Sequence, residues 1–122
     1  MTQNARLLVQ TLKDVTVVTF QDSAIVDAQV IEKVGQELNA LVEKQDRRKL
    51  LLDMSRVTHL SSAALSVLLV VRQHIEKANG MLVICGLGKD LQKLFKLTSL
   101  HKIFTFAASE QEALEKMGVI LA

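Results

Sequence analysis

Two adjacent hydroxyls, Ser61 and Ser62, stand inside the segment KLLLDMSRVTHLSSAALSVLL, residues Lys49 to Leu69. They fall where a polar connection, Ser55 to His59, gives way to a long apolar helical pattern. A serine at a helix start can accept hydrogen bonds from backbone N–H groups that the helix leaves unpaired. It can also carry a phosphate, because a helix N-terminus favours negative charge. Both uses are open at this point. His59 lies close enough in sequence to approach either hydroxyl, but no third group completes a nucleophile–base–orienter set. No G-x-S-x-G elbow surrounds Ser62.

The remaining chemistry-bearing residues are dispersed. His59, His74 and His101 are far apart, and none falls in a metal-ligand spacing such as H-E-x-x-H. The one cysteine, Cys85, excludes an intramolecular disulfide and any multi-cysteine metal site. It sits in the apolar run MLVICG, where a buried, inert thiol is expected. Gly86 to Asp90, GLGKD, lacks both the G-x-G-x-x-G and the G-x-x-x-x-G-K-[ST] pattern and reads as a strand-to-helix turn. No catalytic residue, cofactor or metal is expected. Aromatics make up 3% of the chain, with no Trp or Tyr, so stacking platforms for nucleic acid are nearly absent. Fifteen basic residues against thirteen acidic ones leave +2. The densest basic cluster, Asp46-Arg47-Arg48-Lys49, reads as a solvated strand entrance rather than a phosphate-tracking patch.

The elements that must position the serine pair follow from the hydropathy pattern. The chain has 122 residues, 49% of them apolar, which suits one domain over 1–122 with an aliphatic core. MTQNARLLVQ lacks the basic start and apolar stretch of a signal peptide. No run approaches the roughly 18 apolar residues of a membrane span. A cytoplasmic protein without membrane insertion is therefore expected. Arg6 to Leu12 and Val15 to Phe20, split by Lys13-Asp14, predict a hairpin. Asp27 caps a helix that carries Val30, Ile31, Val34, Leu38, Leu41 and Val42 on one face and ends near Lys44. Leu50-Leu51-Leu52 is a continuous apolar strand of the kind found in parallel sheets covered by helices. A second helix runs from Ser62 to about Ala78 and stops at Asn79-Gly80. Met81 to Cys85 is a strand, and Leu91, Leu94, Phe95 and Leu97 mark a third helix. Ile103 to Phe106 is a short last strand, and the capping box Ser109-Glu110-Gln111-Glu112 opens a fourth helix that ends at Gly118. The expected fold class is α/β: a mostly parallel sheet of repeated strand–helix units with an N-terminal hairpin and about four helices.

The helix behind the serines is unusual. Ala64, Val67, Leu68, Val71, Ile75 and Ala78 form one apolar stripe, and Leu65, Leu69 and Val70 add apolar surface beside it. Such a helix is either buried all round or offers a face to a partner. Small Ala63 and Ala64 would let another chain approach the helix start closely.

VTHLSSAALSVLL resembles the signature of STAS domains, the anti-sigma factor antagonist family. Leu60 matches the family's apolar position, and Ser62 matches the serine that is phosphorylated. Ala63 matches the small residue, and Leu65 the aliphatic one. Ser61 stands where the family usually has Asp, and Ala64 replaces a Gly. LLLDMSRV looks like the strand and loop leading to that site, and NGMLVICGLGKDLQKLFKLTSLHKIF is similar to the family's next strand, helix and strand. The resemblance covers essentially the whole chain and implies a partner switch. In that family the unphosphorylated domain binds a kinase that is also an anti-sigma factor, phosphorylation breaks the complex, and a metal-dependent phosphatase resets it. Carried over, Ser62 is the expected acceptor, with Ser61 as a second one. Leu60, Ser61, Ser62, Ala63, Ala64, Leu65 and Leu69 are the expected partner-binding residues. The alternative is a constitutive STAS scaffold or accessory subunit of a transporter or signalling complex, in which Ser62 only caps the helix.

Overall fold

The computed structural model describes residues 7–45 and 47–119. Arg6 and Asp46, named in the expected first strand and basic cluster, lie outside them. Strands β1 (Leu7–Leu12) and β2 (Val15–Phe20) form the hairpin, with Lys13 in the left-handed region at φ 55°. A two-residue strand β3 (Ala24–Ile25) precedes α1 (Ala28–Glu43), whose cap Asp27 accepts from the N–H of Gln29 at 2.9 Å. Strand β4 (Lys49–Asp53), a second two-residue strand β5 (His59–Leu60) and α2 (Ser62–Lys77) follow. Next come β6 (Met81–Cys85), α3 (Lys89–Leu97), a 3-10 turn at Leu100–Lys102, β7 (Thr105–Ala107) and α4 (Glu110–Lys116).

Five strands form one sheet in the order β1-β2-β4-β6-β7, antiparallel at the hairpin and parallel elsewhere. Alternation along β4 divides the apolar residues between two cores. Leu50 and Leu52 join Val18, Phe20 and Ile84 beneath α1, α2 and α3. Leu51 joins Val17, Val83 and Cys85 beneath α4. All three leucines are fully buried, as a doubly covered parallel strand requires. Helix α1 lies close to α2: a Cβ on Gly35 would sit 3.1 Å from a methyl of Val67. On the other face Lys49 Nζ ties the hairpin turn to the end of α4, 2.8 Å from Asp14 Oδ2 and 3.0 Å from the Met117 carbonyl.

The expected α/β fold class holds, with one local correction among the strands. The predicted last strand, Ile103 to Phe106, lies two residues later at the start: Phe104 instead closes the 3-10 turn by donating to the Leu100 carbonyl at 3.1 Å. Leu97 ends α3 as expected, with its side chain 84% exposed. At α4 the Ser109 hydroxyl accepts from the N–H of Glu112 at 3.2 Å. The reciprocal bond of the capping box falls one residue early, from the Ala108 N–H to Glu112 Oε2 at 3.3 Å. Among the described residues, no helix is long and apolar enough to cross a membrane.

Cys85 is buried, and that burial, reinforced by the charges of Asp53 and Glu110, pushes its thiol from 9.0 up to about 12. The corresponding thiolate fraction near neutral pH is roughly a thousandfold below that of a free thiol. A disulfide-exchange reagent at pH 8 is therefore expected to leave native Cys85 intact and to titrate it in denaturant; rapid labelling of the native protein would contradict its burial. Gly86 adopts φ +77°, and a Cβ there would lie 3.0 Å from that of Ser55, in the loop that leads to the serine pair. Gly86→Ala should lower unfolding free energy in urea by about 1–3 kcal/mol. An unchanged denaturation midpoint would mean that this loop yields freely.

Candidate functional site

The serine pair is held by the turn that follows β4 and by one distant segment, residues 23–25. After β4, Asp53 Oδ1 accepts from the N–H of Ser55 at 3.0 Å, and the N–H of Val57 donates to the Met54 carbonyl at 3.0 Å. Met54 and Val57 are buried and anchor this turn in the core. The segment Ser55 to His59, expected to be a plain polar connection, ends in a strand. His59 pairs with Ala24 and Leu60 with Ile25, in parallel. The Ser23 carbonyl accepts from the Thr58 N–H at 2.7 Å and from its hydroxyl at 3.0 Å. The Ser61 N–H then donates to the Ile25 carbonyl at 3.2 Å.

That clamp sets Ser61 in extended backbone, φ −81° and ψ 167°, with its Oγ accepting from the Ala64 N–H at 3.1 Å. Its own carbonyl accepts from Leu65 at 3.1 Å. Ser61 is thus the cap, and Ser62 is the first residue of α2. The Ser62 side chain is exposed, and its hydroxyl has no hydrogen-bond partner among the described residues. Its carbonyl accepts from Ser66 Oγ, one turn on, at 3.1 Å. The first turn of α2 carries no acidic residue. A charge added to Ser62 would therefore meet the positive end of the helix dipole without a like charge from that turn.

The other residues expected to meet a partner divide between surface and core. Ala63 is exposed beside Ser62, while Leu60 and Leu69 are half-buried against the main core. Ala64 and Leu65 are buried at 5% and 6% exposure, because the helical period turns them onto the sheet. They support the helix start and are not part of the outer surface. The excess apolar character of α2 has a simple cause: Val67 is covered by α1 at Gly35, and Leu69 packs on the core. Three further surface residues belong here; sequence reasoning passed over Ser66 and Val26 and named Val70 only as apolar surface of the helix. Ser66 continues the exposed row after Ser62, Val70 follows at 43% exposure, and Val26, just past the carbonyl that holds Ser61, is 55% exposed. An i, i+4, i+8 count from Ser62 finds the first two. Val26 becomes visible only once β3 is known to pair with β5.

The histidines are not gathered here. His59 Nδ1 lies 3.0 Å from the neighbouring Thr58 hydroxyl, His74 Nδ1 lies 2.6 Å from Asn39 Oδ1, and His101 Nδ1 lies 3.4 Å from the Phe95 carbonyl. Among the described residues no group of three His, Cys, Asp or Glu is placed to hold a metal ion.

The two hydroxyls therefore differ in stability cost. Ser61→Ala removes the cap and should cost about 0.5–2 kcal/mol. Ser62→Ala removes an exposed, unbonded hydroxyl and should stay within about 0.5 kcal/mol of the parent. Chemical denaturation of both variants measures the difference; equal losses would contradict the assignment of Ser61 as the cap.

The STAS domain family model matches residues 6–113. A protein of Bordetella bronchiseptica, BtrV, described as a candidate anti-sigma factor antagonist, is 34% identical over 89 residues, which are 73% of this chain and 76% of BtrV. An anti-sigma factor antagonist from Mycobacterium paratuberculosis shares the fold at a TM-score of 0.81 with 24% identity, over 93% of this chain and 94% of that one. The Bacillus cell fate determinant SpoIIAA in its phosphorylated form superposes at a TM-score of 0.71 with 13% identity, over 92% of this chain and 99% of that one. The family match runs from the hairpin into α4, and on that extent the chain belongs to the STAS domain family, which includes the anti-sigma factor antagonists.

Proposed function

We propose that this chain is a partner-switching binding protein of the anti-sigma factor antagonist kind. Its docking face is the exposed start of α2, and its switch is phosphorylation of Ser62. The observation that carries this reading is the separation of the two hydroxyls. Ser61 spends its oxygen on the cap, at 3.1 Å from the Ala64 N–H, whereas Ser62 is exposed and unbonded at the first helical position. The partners are a kinase that doubles as an anti-sigma factor, and a phosphatase that restores the hydroxyl. SpoIIAA, of the same fold, has been solved in both unphosphorylated and phosphorylated forms.

The physics of the switch is local. A phosphate adds roughly 1.5 to 2 negative charges at neutral pH. At the start of α2 that charge is compatible with the fold, because the helix dipole favours it. At a helix start that exposes Ala63 beside Ser62, the same charge must be desolvated or excluded when a partner docks. Binding is lost while the domain stays folded. Transcription is regulated through the anti-sigma factor that is captured or released.

A second reading is favoured by one residue. Ser61 replaces the Asp that would place a carboxylate beside the acceptor, which suits a constitutive scaffold or accessory subunit of a transporter or signalling complex. The two readings separate in one experiment. Incubated with the host's kinase-type anti-sigma factors and ATP, the protein should gain one phosphate by intact mass, on Ser62, and Ser62→Ala should gain none. Ser62→Glu should bind those partners at least roughly tenfold more weakly than the parent, as a charge placed in a docking face does. An unmodified Ser62, together with normal binding by Ser62→Glu, would leave the scaffold reading in its place.

A further inference from the structure

At the same carboxyl end of the strands, on the β6–β7 side of the sheet, lies a cleft whose lining does not include the serine pair. Strands β6 and β7 are parallel neighbours, yet the helices that follow them leave on opposite faces. Helix α3 places Leu91 and Phe95 in the core beneath α1 and α2, while α4 places Ala113 and Leu114 in the other core. In open α/β sheets, ligands bind in the crevice outside the carboxyl ends of strands at such a divergence. A cleft of about 390 Å³ lies at this point, bounded by Leu87 after β6 and by Ala107 and Ala108 at the end of β7. Its volume lies within the range of small-molecule sites.

The chemistry of its walls restricts what could fill it. The chain has four phenylalanines and no Trp or Tyr. Two of the four, Phe95 and Phe106, line this cleft, set edge to face with centroids 5.4 Å apart. Phe106 is only half-buried, so part of its ring is open to an occupant. The acidic wall is already neutralised. Glu112 accepts from the Ala108 N–H at 3.3 Å and lies 3.8 Å from Lys116 Nζ, which itself donates to the Phe106 carbonyl at 2.7 Å. Lys96, also in the lining, is exposed, and its ammonium has no ion-pair or hydrogen-bond partner among the described residues. The cleft thus combines one partly open aromatic ring, Phe106, seated on the buried Phe95, with one uncommitted positive charge.

We infer that this cleft binds a small planar aromatic carboxylate, its ring against the open part of Phe106, which the buried Phe95 backs, and its carboxylate toward Lys96 Nζ. The cleft shares no lining residue with the serine pair.

The test uses the isotopically labelled protein titrated with naphthalene-2-carboxylate and followed by amide chemical shifts. Saturable shifts are expected at Leu87, Gln92, Lys96 and Ala108. Naphthalene-2-carboxamide, which keeps the rings and loses the charge, should bind about fivefold or more weakly, the ratio expected of one exposed charge pair. Lys96→Met should weaken the carboxylate by a similar factor, and Ala108→Trp, which fills the cleft from an exposed position, should abolish binding. The inference is overturned by the absence of saturable shifts, by shifts centred elsewhere, or by equal affinity for carboxylate and carboxamide.

Discussion

Strand β4 is the constraint on which the rest depends. Its three leucines are buried on alternating faces, so both faces need a helical cover, and both neighbours must pair with it in parallel. Parallel pairing requires crossovers, and these place α1 and α2 side by side over Leu50 and Leu52. The register Asp53 to Cys85 sets where the central strands stop, and the Met54 N–H continues it by one bond to the Cys85 carbonyl at 3.0 Å. The loop that ends in the serine pair starts from that point. Its position is therefore a consequence of the sheet register and not of the loop's own sequence.

Much of this was legible in the residues. The cap Asp27, the stop at Asn79-Gly80 and the Ser109 capping box lie where side-chain chemistry puts them, and each bounds a helix within a residue or so of its expected end. What escaped sequence reasoning was short or non-local. Strands β3 and β5 have two residues each, too few to show a period, and they pair segments 35 positions apart. Ile103 and Phe104 looked like the start of a strand because both are apolar. Phe104 is buried for another reason: its ring meets Phe95 edge-on at 5.9 Å. In the site, either serine could have been the cap on residue type alone. The choice is made by backbone direction, since the clamp on residues 58–61 holds Ser61 extended and starts the helix at Ser62.

The division between the hydroxyls also gives meaning to the departure at Ser61. A carboxylate at that position would cap the helix as well as serine does, and it would stand beside anything added to Ser62. Serine keeps the cap and removes the neighbouring charge. The helix start thus has one structural oxygen and one free one, and neither has to serve both needs.

The small β3–β5 pairing has a consequence for recognition. Ser62 lies on a helical backbone whose approach is tied by hydrogen bonds to residues 23–25, far away in the chain. An extended peptide cut from residues 55–70 would reproduce the order of the side chains but not their arrangement. On the proposed switching role, a kinase acting on this serine would meet a surface assembled from two separate stretches of sequence, and its specificity would be for the folded domain rather than for a linear motif.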